Sequence, residues 1–258
     1  INEMKTQLSY KGAFYLFMVI STFGAFVSYF LWNAVYASSG SAMLGGLTRE
    51  EMVVYIFMVY VTSSVVTISI SVSEDVVKGM VAMQLIKPID YRLSLVTRAA
   101  GLMLHRFLAP GVFVWIGLEV YKYFVLGIGF TGAANIALYL CSCVMSFLIY
   151  VLIDFCVGMI ASFTNYIFGL LMVKDALMSF LTGQLIPLSF FPGAVQKAFE
   201  FLPFSSMIYT PVMVYLGKYG GYELAFVLLR QAVWVALLYV FGSLIWKLVV
   251  RRLVVLGG

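Results

Sequence analysis

The chain has 258 residues, of which 63% are hydrophobic and only 10% are charged. Soluble globular domains are about one-quarter charged, so this composition excludes a soluble domain and indicates an integral membrane protein. The net charge of +5 does not indicate nucleic-acid binding, because no arginine-rich stripe alternates with aromatic residues.

Six apolar segments are long enough to cross a bilayer, which takes about 20 mostly apolar residues. The first is expected to be an anchor rather than a cleaved signal, because no small-residue cleavage site follows a short apolar run. The spans are predicted at residues 13–36, 50–71, 104–127, 133–161, 164–187 and 222–246, within one domain of residues 1–258. This pattern predicts an all-α integral membrane fold with six transmembrane helices.

The distribution of basic residues predicts the orientation of these spans. Six spans place both termini on one side of the membrane, and that side carries ten basic residues: Lys5, Lys11, Lys78, Lys87, Arg92, Arg98, Arg106, Lys247, Arg251 and Arg252. The opposite side carries four: Arg49, Lys122, Lys197 and Lys218. Cytoplasmic loops of membrane proteins are enriched in lysine and arginine, so both termini are predicted to be cytoplasmic.

A charged insert, SEDVVKGMVAMQLIKPIDYRLSLVTR, follows the second predicted span at residues 73–98. Ser71 and Glu74 have capping-box spacing, and Glu74 and Asp75 would lie in a first turn, where the helix dipole favours negative charge. Pro88 disfavours helical geometry at the residue before it and ends the segment. The predicted short cytoplasmic helix either lies flat in the lipid headgroups or docks in a groove of a cytoplasmic partner.

A proline-rich apolar stretch, LTGQLIPLSFFPGAVQKAFEFLPFSSMIYTPVMVYLGK, precedes the last predicted span at residues 181–218. Its prolines prevent one continuous helix, although a short helix is expected at residues 193–202. Non-helical backbone at membrane depth occurs only where protein or water covers it. The stretch is therefore predicted to be a re-entrant helical hairpin on the outer side, and the alternative is an interfacial loop with no mechanistic part.

Two residue patterns resemble those of ABC-2 type permeases, the transmembrane subunits of bacterial ABC exporters. In the insert, the matching positions are Asp75, Gly79, Leu85, Lys87 and Pro88, with Lys87 where arginine is commoner. In the hairpin, they are Pro187, Phe191, Pro192, Leu202, Pro203, Phe204, Tyr209 and Pro211, and Thr182-Gly183 replaces the commoner Ser-Gly. With the six-span layout, the resemblance covers essentially the whole chain.

The resemblance implies an exporter subunit of the bacterial cytoplasmic membrane that moves an amphipathic or hydrophobic substrate outward. Its implied partners are ATP-binding ATPase subunits and a second permease subunit, identical or related. ATP and magnesium would bind to the ATPase, and neither a cofactor nor catalytic residues are expected on this chain, which lacks a phosphate-binding loop. The residues implied in coupling to the ATPase are Glu74, Asp75, Lys78, Gly79, Lys87 and Pro88. Those implied in the outer gate are Pro187, Phe191, Pro192, Pro203 and Phe204.

Charged residues inside the predicted spans are a further group of candidates, because ionisable groups are expensive in a membrane. Lys174 is expected to lie close to Asp154, or else Asp175 takes the place of Asp154 as its partner. Such a contact is either a structural ion pair between two helices or part of a substrate path or gate. Glu119 and Lys122 have i, i+3 spacing and are expected to pair near the outer interface.

The competing function is a membrane channel or a scaffold protein that works without an ATPase. A pore needs a span lined with polar groups, and only the second span offers one: Thr62, Ser63, Ser64, Thr67, Ser69 and Ser71. Small hydroxyl residues equally suit close helix packing. A secondary transporter is disfavoured, because the two halves of the sequence show no detectable repeat.

Overall fold

The computed structural model describes residues 11–67, 72, 75, 90–160 and 167–256, and these residues are predominantly helical. The α-helices are α1 (Lys11–Ser39), α2 (Arg49–Val66), α3 (Tyr91–Arg106), α4 (Val112–Phe124), α5 (Ala133–Ile160), α6 (Ile167–Leu181), α7 (Gly193–Phe201), α8 (Tyr209–Tyr215) and α9 (Gly221–Leu256). A π-helix (Phe107–Gly111) joins α3 to α4, and a 3-10 turn (Leu188–Phe190) precedes α7.

A small β-hairpin separates α1 from α2. Strands β1 (Met43–Leu44) and β2 (Leu47–Thr48) pair antiparallel, and Gly45 and Gly46 form the turn with positive φ angles of 55° and 75°. Two consecutive residues with positive φ match the preferred two-residue hairpin turn, which explains the Gly-Gly sequence. The hairpin therefore ends directly at the start of α2.

Helix α2 begins with a capping box that the sequence pattern Thr-x-x-Glu encodes. The Thr48 hydroxyl accepts the Glu51 backbone N–H at 3.2 Å, and the Glu51 carboxylate accepts the Thr48 N–H at 2.9 Å. The same carboxylate pairs with Lys218 Nζ at 2.7 Å. This contact ties the start of α2 to the loop before α9.

The core lies between α2, α5 and α8. Helix α2 packs against α1, α4, α5 and α8, and α5 packs against α8 and α9. All seven residues of α8 are buried. Helix α8, part of the proline-rich stretch, is thus enclosed by protein, which is the covering that irregular apolar segments need in a membrane.

The third predicted span differs from the observed helix. Helix α3 begins at Tyr91, before the predicted start at residue 104, and the Asp90 side chain caps it by accepting the Arg92 N–H at 2.8 Å. Its buried residues are His105 and, at spacing i, i+4 and i+8, Tyr91, Leu95 and Ala99. A search for long apolar runs misses such a helix, because polar residues such as Arg92 and Arg98 interrupt its apolar ones.

A π-helix interrupts the same span at Phe107–Gly111. Pro110 lies within it and has no N–H to donate to the preceding turn. A single turn of π-helix within an α-helix commonly marks a place where the regular helical hydrogen bonds are interrupted. The region of the third predicted span therefore comprises the end of α3, the π-helix and α4 rather than one regular helix.

The fifth predicted span also ends early. Helix α6 stops at Leu181 instead of residue 187, because Gly183 takes a positive φ of 79°. The Tyr209 N–H then donates to the Thr182 carbonyl at 3.0 Å, which holds the start of α8 against the end of α6. The short helix predicted at residues 193–202 is confirmed as α7, Gly193–Phe201.

Among the described residues, two helical stretches have the length and hydropathy needed to cross a membrane. They are Ala133–Ile160 in α5 and Gly221–Val250 in α9. In the most apolar 18-residue part of α9, only 11% of the residues are buried inside the chain, so most of this helix faces outward. These observations agree with an all-α membrane protein.

Replacing Gly183 by alanine is expected to destabilise the protein by about 1–3 kcal/mol, because its φ is positive and its surroundings are tight. An added Cβ would lie 3.0 Å from the Tyr55 hydroxyl and 3.1 Å from Tyr209 Cβ. The measurement is thermal unfolding in detergent. The control is Gly193→Ala, where an added Cβ meets nothing within 4 Å. Equal unfolding temperatures for the two variants would contradict this account.

Candidate functional site

Asp75, the third residue of the insert, is buried, with 7% of its surface exposed. Its Oδ2 atom accepts a hydrogen bond from the Tyr91 hydroxyl at 3.2 Å and pairs with Arg98 Nη1 at 3.1 Å. Both partners of Asp75 belong to α3.

The Asp75 carboxylate is thus held against α3 by two partners of its own chain. The role of Asp75 in coupling to the ATPase stays a prediction. The other residues implied in coupling lie outside the described residues: Glu74, Lys78, Gly79, Lys87 and Pro88. The predicted capping box at Ser71 lies outside them too.

The start of α3 is joined to the end of α9. Tyr91 stacks on Trp246, with ring centroids 5.3 Å apart and planes 15° apart. The next residue, Arg92, donates to the Ser243 hydroxyl at 2.7 Å and lies over the Tyr239 ring at 5.4 Å. Two adjacent residues of α3 thus hold three residues of α9, directly beside the anchor of Asp75.

The other half of α9 is joined to the segment between α7 and α8. Gln231 is fully buried (0% exposed), and its Nε2 atom donates to the Ser206 carbonyl at 2.8 Å. Its Oε1 atom accepts from the Ser142 hydroxyl of α5 at 2.9 Å. One turn further on, Trp234 Nε1 donates to the Phe201 carbonyl at 3.0 Å. Helix α9 therefore contacts α3 near its own C-terminal end and the segment around α7 and α8 nearer its N-terminal end.

The residues implied in the outer gate fall into two groups. Pro187 and Pro192 flank the 3-10 turn, and the Phe191 ring contacts Phe180 and Phe199 at centroid distances of 5.7 and 5.4 Å. Pro203 and Phe204 follow α7, where Pro203 is buried and Phe204 packs on the main core. Phe191 packs against the same core as Phe204, and the role of these five residues in a gate stays a prediction.

The predicted contact between Asp154 and Lys174 is present. Lys174 Nζ lies 2.7 Å from Asp154 Oδ1, and the two side chains are only 7% and 6% exposed. Asp175 lies farther from the same ammonium, at 3.4 Å, and its side chain is 71% exposed. The Tyr150 ring lies 5.8 Å from Lys174 Nζ. A buried ion pair therefore joins α5 to α6.

The predicted pair of Glu119 and Lys122 is confirmed, with Lys122 Nζ 3.2 Å from Glu119 Oε2. It belongs to a larger network, because Thr131 and Tyr215 also donate hydrogen bonds to Glu119. Trp115 Nε1 donates to the Tyr215 hydroxyl at 3.2 Å. The network connects α4 to α8 and to the loop before α5.

Comparison with protein families identifies the class of protein that carries these contacts. A family model described as "ABC-2 family transporter protein" matches residues 23–257. The chain belongs to this ABC-2 family. Neither the comparison with curated proteins nor that with solved structures finds a match. ABC-2 proteins are permease subunits of ABC transporters, a class that is generally not itself catalytic.

Sequence reasoning missed the residues that link α9 of this ABC-2 permease to the rest of the chain. Gln231 had a usable signal, since an amide inside an apolar span is expensive unless it is hydrogen-bonded. Arg92, Ser243 and Trp246 had no such signal, because residues of these types are common at membrane interfaces and their sequence positions do not show whether they contact each other. Their contacts join positions 151 residues apart in the case of Arg92 and Ser243.

Proposed function

We propose that this ABC-2 permease is the transmembrane subunit of an ABC exporter driven by a separate ATPase. It moves an amphipathic or hydrophobic substrate out across the bacterial cytoplasmic membrane. The observation that carries the proposal is the family match over residues 23–257, nearly the whole chain. A second permease subunit, identical or related, completes the path, and ATP with magnesium binds to the ATPase partner.

The membrane arrangement in this proposal has six spans and cytoplasmic termini. Helices α1, α2, α5, α6 and α9 and the α3–α4 unit each overlap one of the six predicted spans. The proline-rich stretch then lies at the outer side as a re-entrant hairpin, with α8 enclosed by protein. The excess of lysine and arginine on the terminal side supports this orientation.

The contacts of α9 supply a route by which the ATPase can act on the outer side. Closure of the ATPase moves the part of the insert that precedes α3, and Asp75 passes this motion to α3 through Tyr91 and Arg98. Helix α3 moves α9 through the Arg92–Ser243 contact. At the other end of α9, Gln231 and Trp234 hold backbone carbonyls of the hairpin segment. Helix α9 is thus a rigid link between the insert and the hairpin.

The channel alternative receives no support from the second span. The Thr62 hydroxyl is fully buried (0% exposed) and bonded to Tyr139 at 3.0 Å. Those of Ser64 and Thr67 donate to backbone carbonyls of their own helix at 2.7 and 2.6 Å. These three hydroxyls are used as helix packing requires. The Ser63 hydroxyl is buried without a hydrogen-bond partner among the described residues, and Ser69 and Ser71 lie outside them.

The experiment that tests the proposed function is purification of the tagged chain in a mild detergent, with every co-purifying chain identified and counted. The expected result is a stoichiometric ATPase that is lost in the double variant Glu74→Gln/Lys87→Gln. The matched control is Glu50→Gln/Lys197→Gln, which removes one negative charge at the start of α2 and one positive charge on α7. This variant should retain the ATPase. A chain that purifies without any ATPase would contradict the proposal.

A further inference from the structure

A cavity of about 820 Å³ lies between the turn of the β-hairpin, the proline-rich stretch and the start of α9. Helices α7, α8 and α9 and the loop at Lys218 and Tyr219 form its walls. Small-molecule sites have cavities of about 300–1,000 Å³, so the volume suits a ligand of that size. None of the residues implied in the outer gate lines it.

Arg230 lines this cavity with a guanidinium group that has few partners. Among the described residues its hydrogen bond is a long one, 3.5 Å from Nη2 to the Thr210 hydroxyl, and the buried Nε atom has no acceptor. No described carboxylate lies within 4 Å of it to form an ion pair. Because a guanidinium carries five donors and a poorly paired charge is costly when desolvated, the arrangement favours an anion beside Arg230.

The cavity also contains carboxylates, which limits the kind of anion that fits. Glu200 and Glu223 line it, and both lie within electrostatic range of the Tyr219 hydroxyl, as Arg230 does. Lys218 does not offset them, since it already pairs with Glu51 at 2.7 Å. A simple anion at Arg230 would meet two nearby negative charges. A zwitterion would place its negative group at Arg230 and its ammonium group toward the glutamates.

We propose that this cavity binds a zwitterionic aminophosphate group, such as a phosphoethanolamine headgroup. The phosphate binds to Arg230, for which its oxygens match the forked guanidinium donors, and the ammonium binds between Glu200 and Glu223. The same chemistry can come from a membrane lipid or from a soluble aminophosphate. Phe226 lines the cavity and is 63% exposed, so an acyl chain can leave along the outer face of α9.

The test is calorimetric titration of the purified protein in a detergent without phosphate. The probes are glycerophosphoethanolamine, dihexanoyl phosphatidylethanolamine, dihexanoyl phosphatidylglycerol and inorganic phosphate. The variants are Arg230→Gln, Arg230→Lys and Glu223→Gln. The matched control is Arg49→Gln, an exposed arginine at the same end of the molecule that contacts Asn33 instead of the cavity.

The expected result is that the wild type binds an ethanolamine phosphate. The affinity should fall by about tenfold or more in Arg230→Gln, be partly kept in Arg230→Lys and be unchanged in Arg49→Gln. Glu223→Gln should reduce the preference for phosphatidylethanolamine over phosphatidylglycerol. Arg230-dependent binding that is tighter for the lipid than for glycerophosphoethanolamine identifies a lipid headgroup. Binding of the two probes with equal affinity shows that the acyl chains contribute nothing and favours a soluble source. Equal binding to the wild type and Arg230→Gln, a preference for inorganic phosphate, or no binding of any probe would overturn the proposal. The outcome does not depend on an ATPase partner.

Discussion

Replacing Lys174 by methionine is expected to destabilise the protein by about 3–5 kcal/mol, because it leaves the buried Asp154 carboxylate without its ammonium partner. The two groups lie 2.7 Å apart, and less than a tenth of either side chain is exposed (7% and 6%). The folded yield in detergent should fall sharply, and thermal unfolding of the purified fraction should measure the remaining loss. Asp175→Asn is the control, since this partner is 71% exposed and 3.4 Å away, and it should change stability by less than about 1 kcal/mol.

A double variant distinguishes a structural pair from a gate. Replacing both partners with apolar residues, Asp154→Leu/Lys174→Met, removes the uncompensated charge and is expected to restore most of the stability. We expect the restored protein to keep its response to ATP in the purified assembly, as a structural pair requires. A double variant that folds well but has lost the response would assign the pair to the transport path.

Replacing Asp75 by asparagine is expected to uncouple the re-entrant hairpin (residues 181–218) from the ATPase. The substitution removes a charge that Tyr91 and Arg98 hold at 3.2 and 3.1 Å. Hydrogen bonds to charged groups contribute about 1.5–3 kcal/mol each, so the attachment of residue 75 to α3 should weaken by about this amount. The measurement is the ATP-dependent fluorescence change of a label at Lys197→Cys on α7, with ATP hydrolysis by the assembly recorded alongside. Hydrolysis should continue while the fluorescence change is lost.

The matched control for Asp75→Asn is Glu50→Gln. Glu50 is an exposed carboxylate in the first turn of α2 and takes no part in the route through α3 and α9. This variant should keep both hydrolysis and the fluorescence change. Loss of the fluorescence change in both variants, or in neither, would show that Asp75 has no special part in coupling.

The sequence predicted those parts of the fold that depend on composition and local pattern. Apolar runs located the helices at Ala133–Ile160 and Gly221–Leu256 to within a few residues at most ends, and the prolines at 192 and 203 bounded α7. Helix α3 was missed because an amphipathic helix with a narrow buried stripe has no long apolar run. The early end of α6 was missed because a left-handed glycine is visible only once Tyr55 and Tyr209 are placed around it.

The candidate site was predictable only where charge made it conspicuous. Asp154 and Lys174 stood out because ionisable groups are rare within apolar spans, and their similar depth was enough to predict their contact. Asp75 was recognised as important by resemblance, but its burial against Tyr91 depends on the packing of α3. The links of α9 to the hairpin use backbone carbonyls of Phe201 and Ser206, which carry no signal in a sequence.

The most direct test of the central claim, that ATP acts on the hairpin through the insert and α9, is a distance measured in the purified assembly. Spin labels at Leu93→Cys on α3 and Lys197→Cys on α7, both exposed, are introduced after Cys141, Cys143 and Cys156 have been replaced by serine or alanine. The account predicts that ATP shifts the distance distribution between the labels and that Asp75→Asn abolishes the shift. A distribution that stays the same while the ATPase hydrolyses ATP would contradict the account.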